Sequence, residues 1–261
     1  MRLEQLTSPE VAALDRDGVA CLLPLGAVEQ HGAHLPLGTD SLIAHALCCA
    51  VAGRLPGRVL VLPPPWYGLS PHHMRFAGSI TLRAETLMAL AGDVADSLVA
   101  HGFRRIALVN GHGGNASLAG LLGATLGHRH AGAARIAALT YFKLAAGAID
   151  AIRRSGPGGA GHACEVETAL IQHLHPELVR AGGAAHYPQT GTPYLSTNLT
   201  RGGPVASYVD FADLSETGVL GDPTLASPEQ GARLFEACAG ALADFVADFL
   251  TWPVQPQGEQ R

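Results

Sequence analysis

Val19-Ala-Cys-Leu-Leu-Pro-Leu25, then Gly26-Ala-Val-Glu-Gln-His-Gly-Ala-His-Leu-Pro-Leu-Gly-Thr-Asp40, then the apolar-rich run from Ser41 to Arg54, is the stretch that decides the fold. Its first seven residues carry no charge, the mark of a short strand buried in an α/β protein. The loop that follows is polar, and the run beyond it predicts a helix. Strand-like and helix-like segments go on alternating after it. Arg58–Leu62 reads as a strand stopped by Pro63-Pro64-Pro65, and Ala84–Ala100 as an amphipathic helix closed by Gly102. A strand over Arg105–Val109, a helix over Ala116–Gly127 and a strand over Arg135–Tyr141 follow. Upstream, Ser8-Pro9-Glu10 reads as a helix start with proline at the first helical position. Downstream, Glu165–His173 should be helical, and residues 181–222 are loop-rich, with room for a hairpin or a projecting segment. Ser227-Pro-Glu-Gln230 then supplies a capping box for a last helix with an apolar stripe from Ala232 to Leu250. Alternation of this kind predicts an α/β fold with a mostly parallel sheet covered by helices on both faces. No linker divides the chain, so residues 1–261 are expected to form a single domain.

Composition narrows the function. A chain of 261 residues buries roughly 70–75% of its unfolded surface, so a bound metal would serve chemistry rather than folding. Hydrophobic residues make up 48% and charged residues 15%, which suits extensive buried area, subunit contacts included. A net charge of −5, with no basic cluster beyond Arg104-Arg105 and Arg153-Arg154, argues against a nucleic-acid surface. Cys21, Cys48, Cys49, Cys164 and Cys238 are odd in number and lack CxxC spacing, as expected of reduced thiols. The N-terminus has no signal-peptide pattern and no apolar run reaches about 18 residues. The expectation is a soluble cytoplasmic protein with no membrane partner.

In open parallel sheets, sites form beyond the carboxyl ends of the strands. Three polar loops should converge there: Glu29–Asp40, Ser70–Arg75 and Asn110–Asn115. Glu29 and His31 are two apart, so in an extended segment they point the same way. Glu, His and Asp are the ligands that suit Zn²⁺, Mn²⁺ or Fe²⁺. Asn110-Gly-His-Gly-Gly-Asn115 leaves space beside His112. A phosphate cradle there would require a Lys-Ser/Thr or a GxGxxG, and neither is present, so His112 reads as a ligand. In Gly161-His-Ala-Cys-Glu-Val-Glu-Thr168, His162 and Glu165 share a face if the helix has begun. Glu165 and Glu167 point apart on a helix, so at most one is a direct ligand. Their bland reading is as acids favoured by a helix N-terminus. Cys164 invites a thiol-nucleophile reading, but the adjacent acids would raise its pKa.

Together, EQH…D, NGHGGN and HACEVET resemble the creatininase (creatinine amidohydrolase) family. The likeness extends from about residue 20 to about 235 and includes Gly68-Leu-Ser-Pro-His-His73, Phe76-Ala-Gly-Ser-Ile80 and Glu216-Thr-Gly-Val-Leu-Gly-Asp-Pro223. It implies a three-layer α/β/α fold, a homo-oligomer (a hexamer in the family) and two divalent ions per chain. Those ions would be Zn²⁺ and/or Mn²⁺, with Fe²⁺ as a further option, and the chemistry would be cleavage of amide C–N bonds. Carried over residue by residue, Glu29, His31, Asp40 and His112 match metal ligands, with Asp40 bridging. His162 matches a proton-transferring histidine, and Ser70 a substrate-contacting serine. His73 and Gly113 join Ser70 as expected substrate contacts, and His72 shares their loop. Creatininase has a Tyr and a metal-binding Glu where this chain has Gly113 and Gly114, and a Trp-Asp pair where it has Gly158-Gly159. Glu165 is the best local replacement for the missing carboxylate, with Glu167 left open. Glu29 with His112 would then complete one ion, and His31 with Glu165 the other.

The expected activity is hydrolysis of a small, cyclic amide by a water activated between two metals. Alternatives within the family are a deformylase of a pyrimidine intermediate and a peptidase that trims a modified peptide. A non-catalytic binding protein on this fold and a nucleotide-binding module are the rivals from other classes. His34 either orients a ligand or is structural, and Trp66 and Tyr67 line either the pocket or a subunit interface.

Overall fold

Every residue of the strand β1 (Ala20–Leu25) is buried, because helices cover both of its faces. The computed structural model describes residues 1–254. Before β1 comes a short helix, α1 (Ser8–Ala12); after it come α2 (Thr39–Arg54) and the strand β2 (Val59–Val61). The helix α3 (Ala84–Ala100) leads to β3 (Arg105–Asn110), and α4 (Ala116–Arg129) leads to β4 (Arg135–Thr140). These four strands form one parallel sheet in the order β2-β1-β3-β4. Leu25, the last residue of β1, lies opposite Asn110, the last of β3, so the loops after both strands leave from the same level.

The strand period of two divides the core. Ala20 and Leu22 of β1 join Val59, Val61, Ala107 and Val109 on one face. There they meet Ile43, Leu47 and Val51 of α2 and two further helices, α7 (Glu165–Leu174) and α9 (Pro228–Phe249). Cys21, Leu23 and Leu25 point the other way, with Leu60, Ile106 and Leu108, onto Leu87 and Ala91 of α3 and Leu118 and Leu122 of α4. The result is the expected α/β/α sandwich around a mostly parallel sheet. No helix of the described residues is long and apolar enough to cross a membrane.

Several boundaries differ from the sequence reading. The first helix is capped by Thr7, which shares a capping box with Glu10, so Pro9 is its second residue rather than its first. At α2 the start comes two residues early, which puts Asp40 inside the first turn. Tyr141 leaves β4 and opens α5 (Tyr141–Leu144), with α6 (Ala146–Ile152) behind it. The helix has not begun at His162: residues 160–162 form a strand, β5 (Ala160–His162). It pairs antiparallel with β6 (Leu220–Gly221), at the far end of a loop-rich stretch whose helix is α8 (Phe211–Leu214).

Candidate active site

Three loops leave the carboxyl edge of the sheet and bring their polar side chains together, as expected. Glu29 and His31 come from the loop after β1, Asp40 from the first turn of α2, and His112 from the loop after β3. Each is at most 2% exposed. Asp40 reaches both ways: Oδ1 lies 3.3 Å from His31 Nε2 and Oδ2 lies 3.0 Å from His112 Nδ1. On the His112 side, Glu29 Oε1 is 3.2 Å from Nδ1. On the His31 side, Glu167 Oε1 is 3.9 Å from Nε2.

The tautomers follow from the carbonyls around the rings. A carbonyl only accepts, so His31 Nδ1–H donates to Glu29 O at 3.1 Å and His112 Nε2–H donates to Leu69 O at 3.0 Å. His162 Nε2–H likewise donates to Gln30 O at 2.6 Å. In all three imidazoles the outer nitrogen is fixed by backbone and the inner one faces the carboxylates. Metal-binding histidines are held in this way.

The donors fit divalent ions. Both oxygens of Glu29, Asp40 Oδ2 and His31 Nε2 are buried and have no hydrogen-bond partner among the described residues. Leaving such groups unsatisfied costs about 1–3 kcal/mol each, and a cation would satisfy them. His31, Asp40 and Glu167 can offer donor atoms that all lie within 4.8 Å of one another. Electrostatics agree. Burial favours the neutral form of Glu167 and, with Asp40 and Glu29 adding to it, raises its pKa to about 7 despite His31. Burial alone would lower His31, but Asp40, Glu167 and Glu29 outweigh it and bring the ring to about 9. Asp40 is held well below the usual carboxylate range by His31 and His112, against the effect of burial. Clustered acids of this kind call for positive charge.

Glu165 corrects the ligand expected from sequence. Its two oxygens accept hydrogen bonds from Arg154 N and Ser155 N, each at 2.7 Å, and Gln230 Nε2 also donates to it. It closes the turn after α6, on the opposite side of α7 from the donor cluster. Glu167, two residues on, takes the place facing His31. Ser70 also departs from expectation. It is buried with Oγ 3.3 Å from His112 Nε2, behind the ring, and does not line the cavity.

His73 and Gly113 do line it. Gln30 is oriented by Gly32 N, which donates to Oε1, and by Gly218 O, which accepts from Nε2. Its Nε2 therefore also donates to His73 Nδ1 at 2.9 Å, leaving the Nε2–H of His73 to face Glu29 Oε1 at 3.3 Å. His73 thus faces the donor cluster from the cavity side. A Cβ at Gly113 would meet nothing within 4 Å, so the cavity is open there. His34 bonds Thr168 Oγ1 through Nε2 at 2.9 Å and braces the helix that carries Glu167. Burial and His31 lower its ring to about 4. Burial also raises the Cys164 thiol, which is fully buried and carries no nucleophile reading. Trp66 and Tyr67 are over 40% exposed and lie outside the cavity.

Sequence reasoning missed Phe211. Its ring stands edge-on to His72, His73 and His162, with centroids 4.8, 4.4 and 5.4 Å away. The only sequence signal was an aromatic inside a loop-rich stretch. The cavity measures about 550 Å³ and takes its outer wall from that stretch, including Leu195–Leu199 and Val205–Val209.

Comparison with known proteins gives the same picture. The family model described as creatininase (creatinine amidohydrolase) matches residues 4–246. A mycofactocin precursor peptide peptidase of Mycobacterium tuberculosis is 34% identical, over 97% of this chain and 94% of its own length. The creatinine amidohydrolase of Pseudomonas putida is 30% identical, over 87% of this chain and 88% of its own. A solved structure of a manganese creatininase superposes with a TM-score of 0.80 at 28% identity, over 96% of this chain and 98% of that one. The match runs through both halves of the core and through every loop that feeds the donor cluster. This chain belongs to the creatininase family and is a hydrolase of that family.

Proposed function

We propose that this chain hydrolyses an amide bond in a peptide or peptide-like substrate, with two divalent ions, Zn²⁺ and/or Mn²⁺, in the cluster around Asp40. Glu29, His112 and Asp40 would hold one ion, and His31, Glu167 and Asp40 the other. When bound, such ions polarise a carbonyl as Lewis acids and lower the pKa of adjacent water.

The chain's own residues do the rest. Asp40 spans the two halves of the site with its two oxygens. Burial, reinforced by His31, pushes His162 well below its usual pKa, so the ring is neutral and its Nδ1 can accept. That atom lies 3.7 Å from Glu29 Oε1, at the floor of the cavity. In this reading His162 takes the proton of the attacking water and returns it to the leaving nitrogen. Such proton transfer is worth roughly 10²–10⁴-fold in rate. Phe211 and the outer wall keep the reacting centre from bulk water.

The observation that carries the peptide reading is the cavity. Pockets of about 300–1,000 Å³ take drug-sized ligands, and this one, at about 550 Å³, exceeds the needs of one small planar ring. Openness at Gly113 and the run of wall residues from Leu195 to Leu199 suit an extended chain. The similarity to peptide peptidases supports the same choice. Metal-loaded protein is to be incubated with a panel of short peptides and, separately, with small cyclic amides, and the products read by mass spectrometry. Release of peptide fragments is expected. Turnover confined to the cyclic amides would restore the small-ring reading. The same reading takes the protein as a homo-oligomer, which light scattering on the purified chain measures.

A further inference from the structure

Among the imidazoles around the donor cluster, one is left without a task. His72 lies in the short turn Pro71–His73, and no described residue hydrogen-bonds to its ring. One of its nitrogens lies within 4.8 Å of an oxygen of Glu29 and a nitrogen of His112. The rings of His72 and His112 are nearly parallel, 8° apart, with centroids separated by 5.7 Å. Phe211 and His73 hold the other sides of the His72 ring.

The surroundings are built to keep that ring in place. Leu69 N donates to Asn115 Oδ1 at 2.9 Å and Ser70 N donates to Thr81 Oγ1 at 2.9 Å, so the loop is pinned just before the turn. Leu69 O is also the acceptor that fixes His112. The same short segment therefore orients one ring through its carbonyl and presents a second ring three residues later. Across from it stands Gly114. A Cβ there would come 2.7 Å from His72 Cε1, and closer still to Leu69 O and His112 Nε2. Leu69 O, His112 and His72 together leave room only for glycine at position 114.

Without His72, the donors count three on each side of the site: Glu29, His112 and Asp40 on one, His31, Glu167 and Asp40 on the other. We infer that His72 is a protein ligand of the ion on the Glu29–His112 side, giving that ion a second imidazole that its neighbour lacks. This rests on the two-ion reading above. It predicts two unequal sites, the Glu29–His112 site being richer in nitrogen and so favouring Zn²⁺ over Mn²⁺.

The test is metal binding, read without turnover. Wild-type protein, His72→Ala and His72→Phe are to be dialysed against buffered Zn²⁺ and their bound metal counted by mass spectrometry, with Co²⁺ absorption spectra alongside. His72→Phe keeps the ring volume against Phe211 and removes the nitrogens. Melting of the chelated proteins shows whether the variants fold like wild type. About two ions in the wild type, with one of them weakened at least about 100-fold in both variants and an altered Co²⁺ spectrum, is the expected result. Two ions bound with wild-type affinity and spectrum in either variant would overturn the assignment, leaving His72 as part of the cavity wall. Equal weakening of both ions would overturn it as well. A wild-type chain that binds no metal would reject the two-ion reading itself, a separate result from the failure of His72 alone.

Discussion

Two glutamates two residues apart divide structure from chemistry. Glu165 accepts two backbone N–H groups and an amide from Gln230, whereas Glu167 faces His31. Replacing Glu165 by Gln swaps an acceptor oxygen for an NH₂ among donors, which should cost about 1–3 kcal/mol in urea unfolding while metal content stays at wild-type level. Glu167→Gln should do the reverse and lose an ion with little loss of apo-protein stability. Equal metal loss in both variants would show that the division is wrong. His162 is separable in the same way. Its outer nitrogen bonds Gln30 O and it is not needed to complete either set of three donors. His162→Ala should keep its metal and lose roughly 10²–10⁴-fold in kcat, measured on whichever amide the wild type cleaves. Undiminished turnover in a metal-replete variant would remove His162 from proton transfer.

At the scale of elements, the site depends on how three loops are tied together, and Asn115 ties them. Buried at the start of α4, it donates to Gly26 O at 3.0 Å and accepts from Leu69 N at 2.9 Å, joining the loops after β1, β2 and β3. Asn115→Ala would leave a buried carbonyl and a buried N–H unpaired, at about 1–3 kcal/mol apiece. Urea unfolding should show that loss, and metal affinity should fall with it because Leu69 also holds His112. A variant as stable as wild type would mean that water replaces the amide. The strands and long helices around these loops were legible in sequence because their apolar periods are strong and proline or glycine bounds them. The donors were legible because Glu29, His31 and His112 sit in loops beyond strand ends, and Asp40 in the helix turn that follows the first of them, where side chains have somewhere to converge. What hid Glu167 was a turn without its usual marker. Ala163 adopts φ 48°, a left-handed conformation that glycine ordinarily takes. Nothing in the sequence separates His162 from the helix, so helical spacing puts Glu165 on its face. With the turn in place, α7 starts at Glu165 and its register puts Glu167 inward. Phe211 was hidden for another reason, since its partners are reached only through long-range packing.

Across the whole molecule, the sheet and the site have different claims on stability. Both faces of the sheet are filled by apolar side chains that owe nothing to a metal. The donor cluster is the opposite case, with buried carboxylates and imidazoles drawn from the loops after β1 and β3 and from α7. Removing the ions should leave the fold standing and make it less stable. A ligand present at ~1,000 times its dissociation constant contributes about 4 kcal/mol. For a chain of this size that corresponds to a fall in Tm of roughly 8–16 °C on chelation. Far-UV circular dichroism at 25 °C should not change, because the helices pack on the sheet and not on the ions. Asp40 is the internal control, since its two oxygens face His31 on one side of the cluster and His112 on the other. Asp40→Ala should melt at the same temperature with and without chelator. If chelation lowers its Tm as far as it lowers the wild type's, Asp40 does not join the two ions and the site must be drawn around Glu29 and Glu167 instead.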